Sequence, residues 1–225
     1  MIMKKFNIVF FDLDGTLTDP GEGITKSAEY ALSHYGIKVS DRSELYSFIG
    51  PPLIDSFMTY YDFSKEKARQ AVKYYREYYE KEGVFQNKLY DGIPQLLKKL
   101  KKEGKTLSVA TSKPEFFAEK ILKIYNIEKY FDFVAGANMD ETRSKKSDVI
   151  AYAIDSLGIS PEKGIVMVGD RSFDVEGAAA FNIPTIGVLY GYGSETELLS
   201  AGAFALAKTP AEVYEIISEP AKRQR

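Results

Sequence analysis

The chain has 225 residues, 44% of them hydrophobic and 28% charged, with a formal net charge of -2. That is an ordinary globular composition, and the near-neutral balance gives no reason to expect a nucleic-acid polymer or an acidic membrane as partner. With no Cys and a single His, His34, the chain excludes disulfides, Cys-based zinc sites, thiol nucleophiles and a multi-His metal site within one copy.

Behind Lys4 and Lys5, the apolar run Ile8 to Phe11 is shorter than the ~7–15 residues of a secretory signal segment, and no run approaches the ~20 residues of a membrane span. The expectation is a cytoplasmic protein. Phe6 to Phe11 predicts a buried strand, ended by Asp12-Leu13-Asp14-Gly15. The texture then turns helical. Ile24 to Tyr35 predicts a helix stopped by Gly36, and Asp41 caps a second through Phe48, broken by Gly50-Pro51-Pro52. Leu53 to Tyr61 and Ser64 to Glu82 predict two more, the last with Val72, Tyr75, Tyr78 and Tyr79 at amphipathic spacing. No strand is expected in this stretch, which reads as a four-helix insert.

From Asp91 onward helices and strands alternate. The predicted helices are Ile93 to Lys102, Glu115 to Tyr125, Ser147 to Leu157, Phe173 to Phe181 and Ala211 to Ile217. The predicted strands are Thr106 to Ala110, Phe131 to Ala135, Ile165 to Val168, Thr185 to Leu189 and Ala203 to Leu206, and the tail Ala221 to Arg225 is expected to be solvated. Such alternation predicts an α/β fold, a doubly wound parallel sheet covered on both faces, interrupted after its first strand by an all-helical insert. Residues 1–17 and 84–225 would form the α/β core and 18–83 the insert.

Ligands of such sheets bind beyond the carboxyl ends of the strands. There the sequence places Asp12 and Asp14 after the first strand, Thr111-Ser112-Lys113 after the second, Arg143 to Lys146 after the third, and Gly169-Asp170 with Asp174 after the fourth. Each has a plainer explanation alone: Asp-x-Asp-Gly suits a turn, Thr111 a helix cap, and Lys145-Lys146 a solvated loop. Together they bring carboxylates, a hydroxyl and a lysine to one rim. Clustered carboxylates repel, and oxygen ligation without His or Cys points to a hard cation, Mg2+.

These residues carry a resemblance to the haloacid dehalogenase (HAD)-like hydrolase superfamily, in the branch of phosphoglycolate phosphatases and 5'-nucleotidases with a helical (C1-type) cap. Its motifs are matched by Asp12 to Thr16, by Thr111, by a Lys, and by Gly169 to Asp174. The resemblance implies a Rossmann-like core and a Mg2+-dependent phosphatase acting on a small phosphorylated metabolite, with no nucleic-acid polymer or membrane as partner, as a monomer or homodimer. Asp12 would form an aspartyl-phosphate, and Asp14 would protonate the leaving alcohol and then activate water. Mg2+ would be held by Asp12, Asp170 and Asp14, the last through its backbone carbonyl, with Asp174 at the metal as well, as a ligand or orienting a metal-bound water or the lysine. Thr111, Ser112, Gly15, Thr16 and Lys113 would surround the phosphoryl group, with Lys146 or Lys145 as the site lysine.

In the cap, Gly50, Pro51 and Pro52 stand where relatives place a substrate-contacting loop. The tyrosines of the last cap helix either pack helix on helix or wall a substrate ring. Two other readings keep the same fold. One is a sugar-phosphate mutase similar to β-phosphoglucomutase, disfavoured by the lack of a His near Ile24. The other is a non-enzymatic phosphate-sensing or partner-binding module.

Overall fold

In the computed structural model, which describes residues 6–140, 142–160 and 164–218, Ile8–Phe11 is the strand β1 at the middle of a six-stranded parallel sheet. Its neighbours are Thr106–Pro114 (β4) on one side and Ile165–Gly169 (β6) on the other. Phe133–Ala137 (β5) continues the sheet beyond β4, while Thr185–Val188 (β7) and Ala205–Ala207 (β8) continue it beyond β6. The chain thus winds outward from β1 first one way and then the other. The switch in direction opens a crevice at the carboxyl end of β1, where Asp12 follows.

Side chains of a strand alternate between sheet faces. Ile8 and Phe10 join Ala110, Met167, Val149 and Ile150 in a buried core on one face, supplied from above by α6 (Lys146–Ser156) and α7 (Ser172–Ala179). Further helices of this unit are α4 (Ile93–Lys102), α5 (Glu115–Ile124), α8 (Glu195–Ala201) and α9 (Pro210–Ser218). With both faces covered, β1 is buried at every position.

In the six-stranded sheet, β5 and β4 depart from the sequence-based expectations. β5 begins two residues later than expected, at Phe133, because Glu128–Tyr130 forms a 3-10 turn. Just before β5, the Asp132 carboxylate accepts from Leu107 N at 2.8 Å and holds Lys101 at 2.8 Å. β4 runs on past Ala110 to Pro114 but loses its register there: Ala110 pairs with Ala135 and Pro114 with Ala137. Residues 111–113 therefore bulge, which re-aims their side chains. The tail from Ala221 lies outside the described residues.

By its contacts the chain divides into Met1–Leu17 with Leu89–Arg225, and Thr18–Lys88. The second unit holds α1 (Gly21–Ser33), α2 (Leu53–Tyr61) and α3 (Lys65–Lys81). The segment expected as its second helix, Arg42–Phe48, is a 3-10 helix capped by Asp41, whose carboxylate accepts from Ser43 N at 2.9 Å. Short strands Thr18–Asp19 (β2) and Lys88–Leu89 (β3), which the sequence did not announce, pair with each other. The unit reaches past Gly83 because Gly23 N donates to Gln86 O at 2.9 Å, and a Cβ on Gly23 would collide with the Gly83 carbonyl. Phe48 packs edge-on against Phe57 at 4.9 Å, and Tyr75 and Tyr79 are buried and stacked at 5.5 Å. These two tyrosines are core. His34 stacks on Tyr74 at 3.9 Å. Arg42 lies 3.7 Å from Glu29, and both line an open groove of about 480 Å³ with Lys26, Tyr30, Ser33 and Tyr78.

Candidate active site

The end of β1 sets the first part of the site. Asp12 N still bonds Val168 O at 2.9 Å, so the sheet ladder fixes the Asp12 backbone, and its side chain is buried. The chain then turns: Leu13 O accepts from Leu17 N at 2.9 Å, and Gly15 adopts φ +84°. Gly15 is required twice over. Its φ favours glycine, and a Cβ there would drive into the Asp170 carboxylate.

β6 delivers Asp170, which is fully buried. Its Oδ1 accepts from Thr16 Oγ1 at 3.4 Å and its Oδ2 from Tyr192 N at 2.8 Å. Tyr192 lies on the Gly191-Tyr192-Gly193 loop that follows β7. A Cβ on either glycine would collide with Asp170, so small residues let this loop close over the carboxylate. Asp174, in the first turn of α7, accepts from Arg171 N at 3.1 Å through Oδ2. Carboxylate oxygens of Asp12, Asp170 and Asp174 all lie within 4.8 Å of one another, and all three residues are buried.

α6 adds the cation. Lys146 opens that helix, and its Nζ stands 2.8 Å from Asp12 Oδ1 and 2.8 Å from Asp174 Oδ1, donating also to Ala110 O at 3.0 Å. Its stem lies against Gly177, where a Cβ would crowd it. Lys145, the other sequence candidate, is exposed at the N-cap of the same helix. The loop before Lys146 is anchored by Arg143. Its Nε donates to Gly136 O at 2.9 Å, its Nη2 lies 3.2 Å from Glu115 Oε2, and its guanidinium lies 3.7 Å from the Tyr152 ring centroid.

Asp14 stands apart from the three clustered carboxylates. Its Oδ2 is 2.6 Å from Lys113 Nζ, a pair whose side chains are only 10% and 5% exposed. The bulged end of β4 presents Lys113 here, and Lys113 N donates to Thr111 Oγ1 at 3.2 Å. Lys113, expected at the phosphoryl group, is thus placed on the Asp14 carboxylate. Ser112 is half-buried on the same bulge. Gly50, Pro51 and Pro52 belong to the helical unit, on the turn into α2, with Gly50 at φ +107°.

The electrostatics follow from burial. Four buried carboxylates (Asp12, Asp14, Asp170, Asp174) face two buried ammonium groups (Lys113, Lys146), a surplus of two negative charges. Burial, reinforced by Asp174 and Asp12, holds the Asp170 carboxyl well above the usual range. Burial also pushes Asp174 up to about 6, against the pull of Lys146. Lys146 is drawn down by burial, but Asp12 and Asp174 outweigh this and hold it more basic than usual. Burial raises Asp14, with Lys113 opposing.

Sequence reasoning missed the Gly191-Tyr192-Gly193 loop and Gly177 behind Lys146; it singled out Gly169 but not the close packing of Gly169 against Asp174. The available signal was a Gly-x-Gly that begins three residues after the last residue of β7.

The pattern of haloacid dehalogenase-like hydrolases matches residues 9–188, a span that contains Asp12, Asp14, Thr111, Lys113, Lys146, Asp170 and Asp174. A 5'-nucleotidase of Pseudomonas aeruginosa is 45% identical over 194 residues, covering 86% of this chain and 87% of that protein. The tyrosine-protein kinase PtkA of Mycobacterium tuberculosis is 44% identical over 186 residues, and the match spans 63% of its length. A crystal structure from Clostridium acetobutylicum, described as a predicted phosphatase, superposes with a TM-score of 0.92 at 49% identity, covering 94% of this chain and 98% of that one. A match that runs through both units at such identity leaves one assignment: the chain belongs to the haloacid dehalogenase-like hydrolase family.

Proposed function

We propose that this protein is a Mg2+-dependent phosphatase that hydrolyses a small phosphomonoester, such as a nucleotide, a sugar phosphate or phosphoglycolate, through an aspartyl-phosphate on Asp12. The observation that carries this reading is the division of the two β1-end carboxylates. Asp12 sits with Lys146 among clustered acids, while Asp14 is held separately by Lys113.

Asp12, Asp170 and Asp174 would hold the metal. The donor set fits: all oxygen, buried, and surplus by two negative charges, which matches a hard divalent cation. Bound Mg2+ supplies neutralisation of the phosphoryl oxygens, which otherwise repel an anionic nucleophile. Within the chain, Lys146 adds a second positive charge beside Asp12 Oδ1, and Asp174 keeps that ammonium in place. A carboxylate attacks phosphorus, and Asp14, whose burial favours the protonated form, gives its proton to the departing alcohol. The Asp14 carboxylate then takes a proton from the water that cleaves the acyl phosphate. The Thr111 hydroxyl, which accepts from Lys113 N, would donate to a phosphoryl oxygen.

The test is phosphate release with Mg2+ over 5'-nucleotides, sugar phosphates, phosphoglycolate and p-nitrophenyl phosphate. Asp12→Asn should abolish release on all of them. Turnover by Asp12→Asn in contaminant-free protein would refute the aspartyl-phosphate route.

A further inference from the structure

The two oxygens of Asp14 have very different surroundings. Oδ2 is 2.6 Å from Lys113 Nζ, inside a pair that is almost wholly buried. Oδ1 is buried as well, yet it meets no hydrogen-bond partner among the described residues. An ammonium group has three donors and no acceptor. A carboxyl proton placed on Oδ2 would point at Lys113 donors with nowhere to go. The same proton on Oδ1 meets no donor.

The other lysine of the site is already committed, to Asp12, Asp174 and the Ala110 carbonyl. Lys113 itself stands on the bulge of β4, where register with β5 is lost between Ala110 and Pro114, and its N–H is tied to Thr111 Oγ1. That irregular strand end aims a lysine across to the β1 terminus, 99 residues away in sequence. A regular strand would send successive side chains to alternate faces.

We propose that Lys113 is the positioning residue for the general acid: by occupying Asp14 Oδ2 with donors only, it fixes the carboxyl orientation and assigns the transferable proton to Oδ1. This rests on the phosphatase reading and specifies how its proton transfer is directed. In the first step an Asp12 oxygen forms a bond to phosphorus as the ester P–O bond breaks. The ester oxygen takes the Oδ1 proton and leaves as alcohol. Asp14 remains as a carboxylate, paired with the Lys113 ammonium. In the second step water oxygen bonds to phosphorus, its proton returns to Oδ1, and the acyl-phosphate P–O bond breaks to give phosphate and the Asp12 carboxylate.

Leaving-group dependence tests this, because p-nitrophenolate departs as a stable anion while an alkoxide needs the proton. kcat/KM reports the steps through leaving-group departure, so it isolates the acid role from the later hydrolysis of the aspartyl-phosphate. Lys113→Met should lower kcat/KM for an alkyl phosphate by about 100-fold or more, within the range typical of general acids, and for p-nitrophenyl phosphate by at least about tenfold less. Lys113→Gln is near in length and offers an acceptor oxygen that lets the proton sit on Oδ2. It should shift the ratio of the two substrates in the same direction, and it serves if the Met variant does not fold.

In an Asp14→Asn background, Lys113→Met should leave the ratio where Asp14→Asn alone puts it. A ratio unchanged from wild type in both Lys113 variants would overturn the proposal, assigning Lys113 to packing alone. A failure of the phosphatase reading would show separately, as a wild-type protein that turns over neither ester.

Discussion

Neutralising Asp170 should make the metal-free protein more stable while removing its response to Mg2+. Asp170 shares its site with two carboxylates whose oxygens lie within 4.8 Å, and the Lys146 ammonium is committed to those two. Two unit charges at that distance, in an effective dielectric of ~20, repel by roughly 3.5 kcal/mol. Asp170 faces two such partners, and the Tyr192 N–H and the Arg171 charge offset part of this. Proton uptake by the raised carboxyl relieves part of the remainder, leaving about 1–3 kcal/mol to be gained near pH 8.

Asn is a close substitute sterically and in hydrogen bonding. Its amide oxygen can accept from Tyr192 N, and its amide N–H can donate to the Thr16 hydroxyl, so both bonds of the native carboxylate persist. For a chain of this size the gain is an increase of roughly 2–12 °C in melting temperature. The assay is thermal denaturation of wild type and Asp170→Asn in chelator and in excess Mg2+. Wild type should gain about 2.7 kcal/mol at a Mg2+ concentration one hundred times its Kd. The variant should start higher and gain nothing. A variant that melts below wild type in chelator, or that Mg2+ stabilises as strongly, would refute the reasoning.

The same cluster predicts a pH effect. With its carboxyl raised to about 6, folded Asp174 binds its proton more tightly than the unfolded chain, so metal-free stability contributed by this group falls as pH rises from about 4 to 6. Chemical denaturation of wild type against Asp174→Asn across that window should show the difference shrinking or reversing in favour of the variant as pH rises. Lys146→Met strands two buried carboxylates and should cost about 3–5 kcal/mol in chelator. Part of that should return with Mg2+, measured by urea denaturation. Gly193→Ala sets a methyl against the Asp170 carbonyl oxygen, and it should cost about 1–3 kcal/mol and weaken Mg2+ binding measured by calorimetry.

Parts of this site were legible because they are local. The apolar run of β1 ends at Asp12 and that of β6 at Gly169, so each acid could be placed at a strand terminus from pattern alone. Counting back from the apolar face of α6 points to Lys146, but only the helix start, with Lys145 at the N-cap, separates the two lysines. The partner of Lys113 was not legible. Its contact depends on where β4 loses register, and periodicity carries no information about register across 99 residues. The Tyr192 loop was hidden for another reason: Gly-x-Gly reads as a turn, and only close approach of backbone to Asp170 gives those glycines their purpose. Arg42–Phe48 was expected to be helical and is, but composition does not separate a short 3-10 helix from an α-helix.

The break in the core chain is bridged by a backbone bond from Tyr90 N to Leu17 O at 3.2 Å, and next to it Thr18–Asp19 pairs with Lys88–Leu89. To the sheet, then, everything between those ends is a loop already closed at its base. The entropy of closing a loop grows only logarithmically with length, about 0.6 kcal/mol per doubling for a flexible chain. This junction is therefore a point at which the protein can exchange or enlarge a whole folded module while the register of β1 and the placement of Asp12 are left intact.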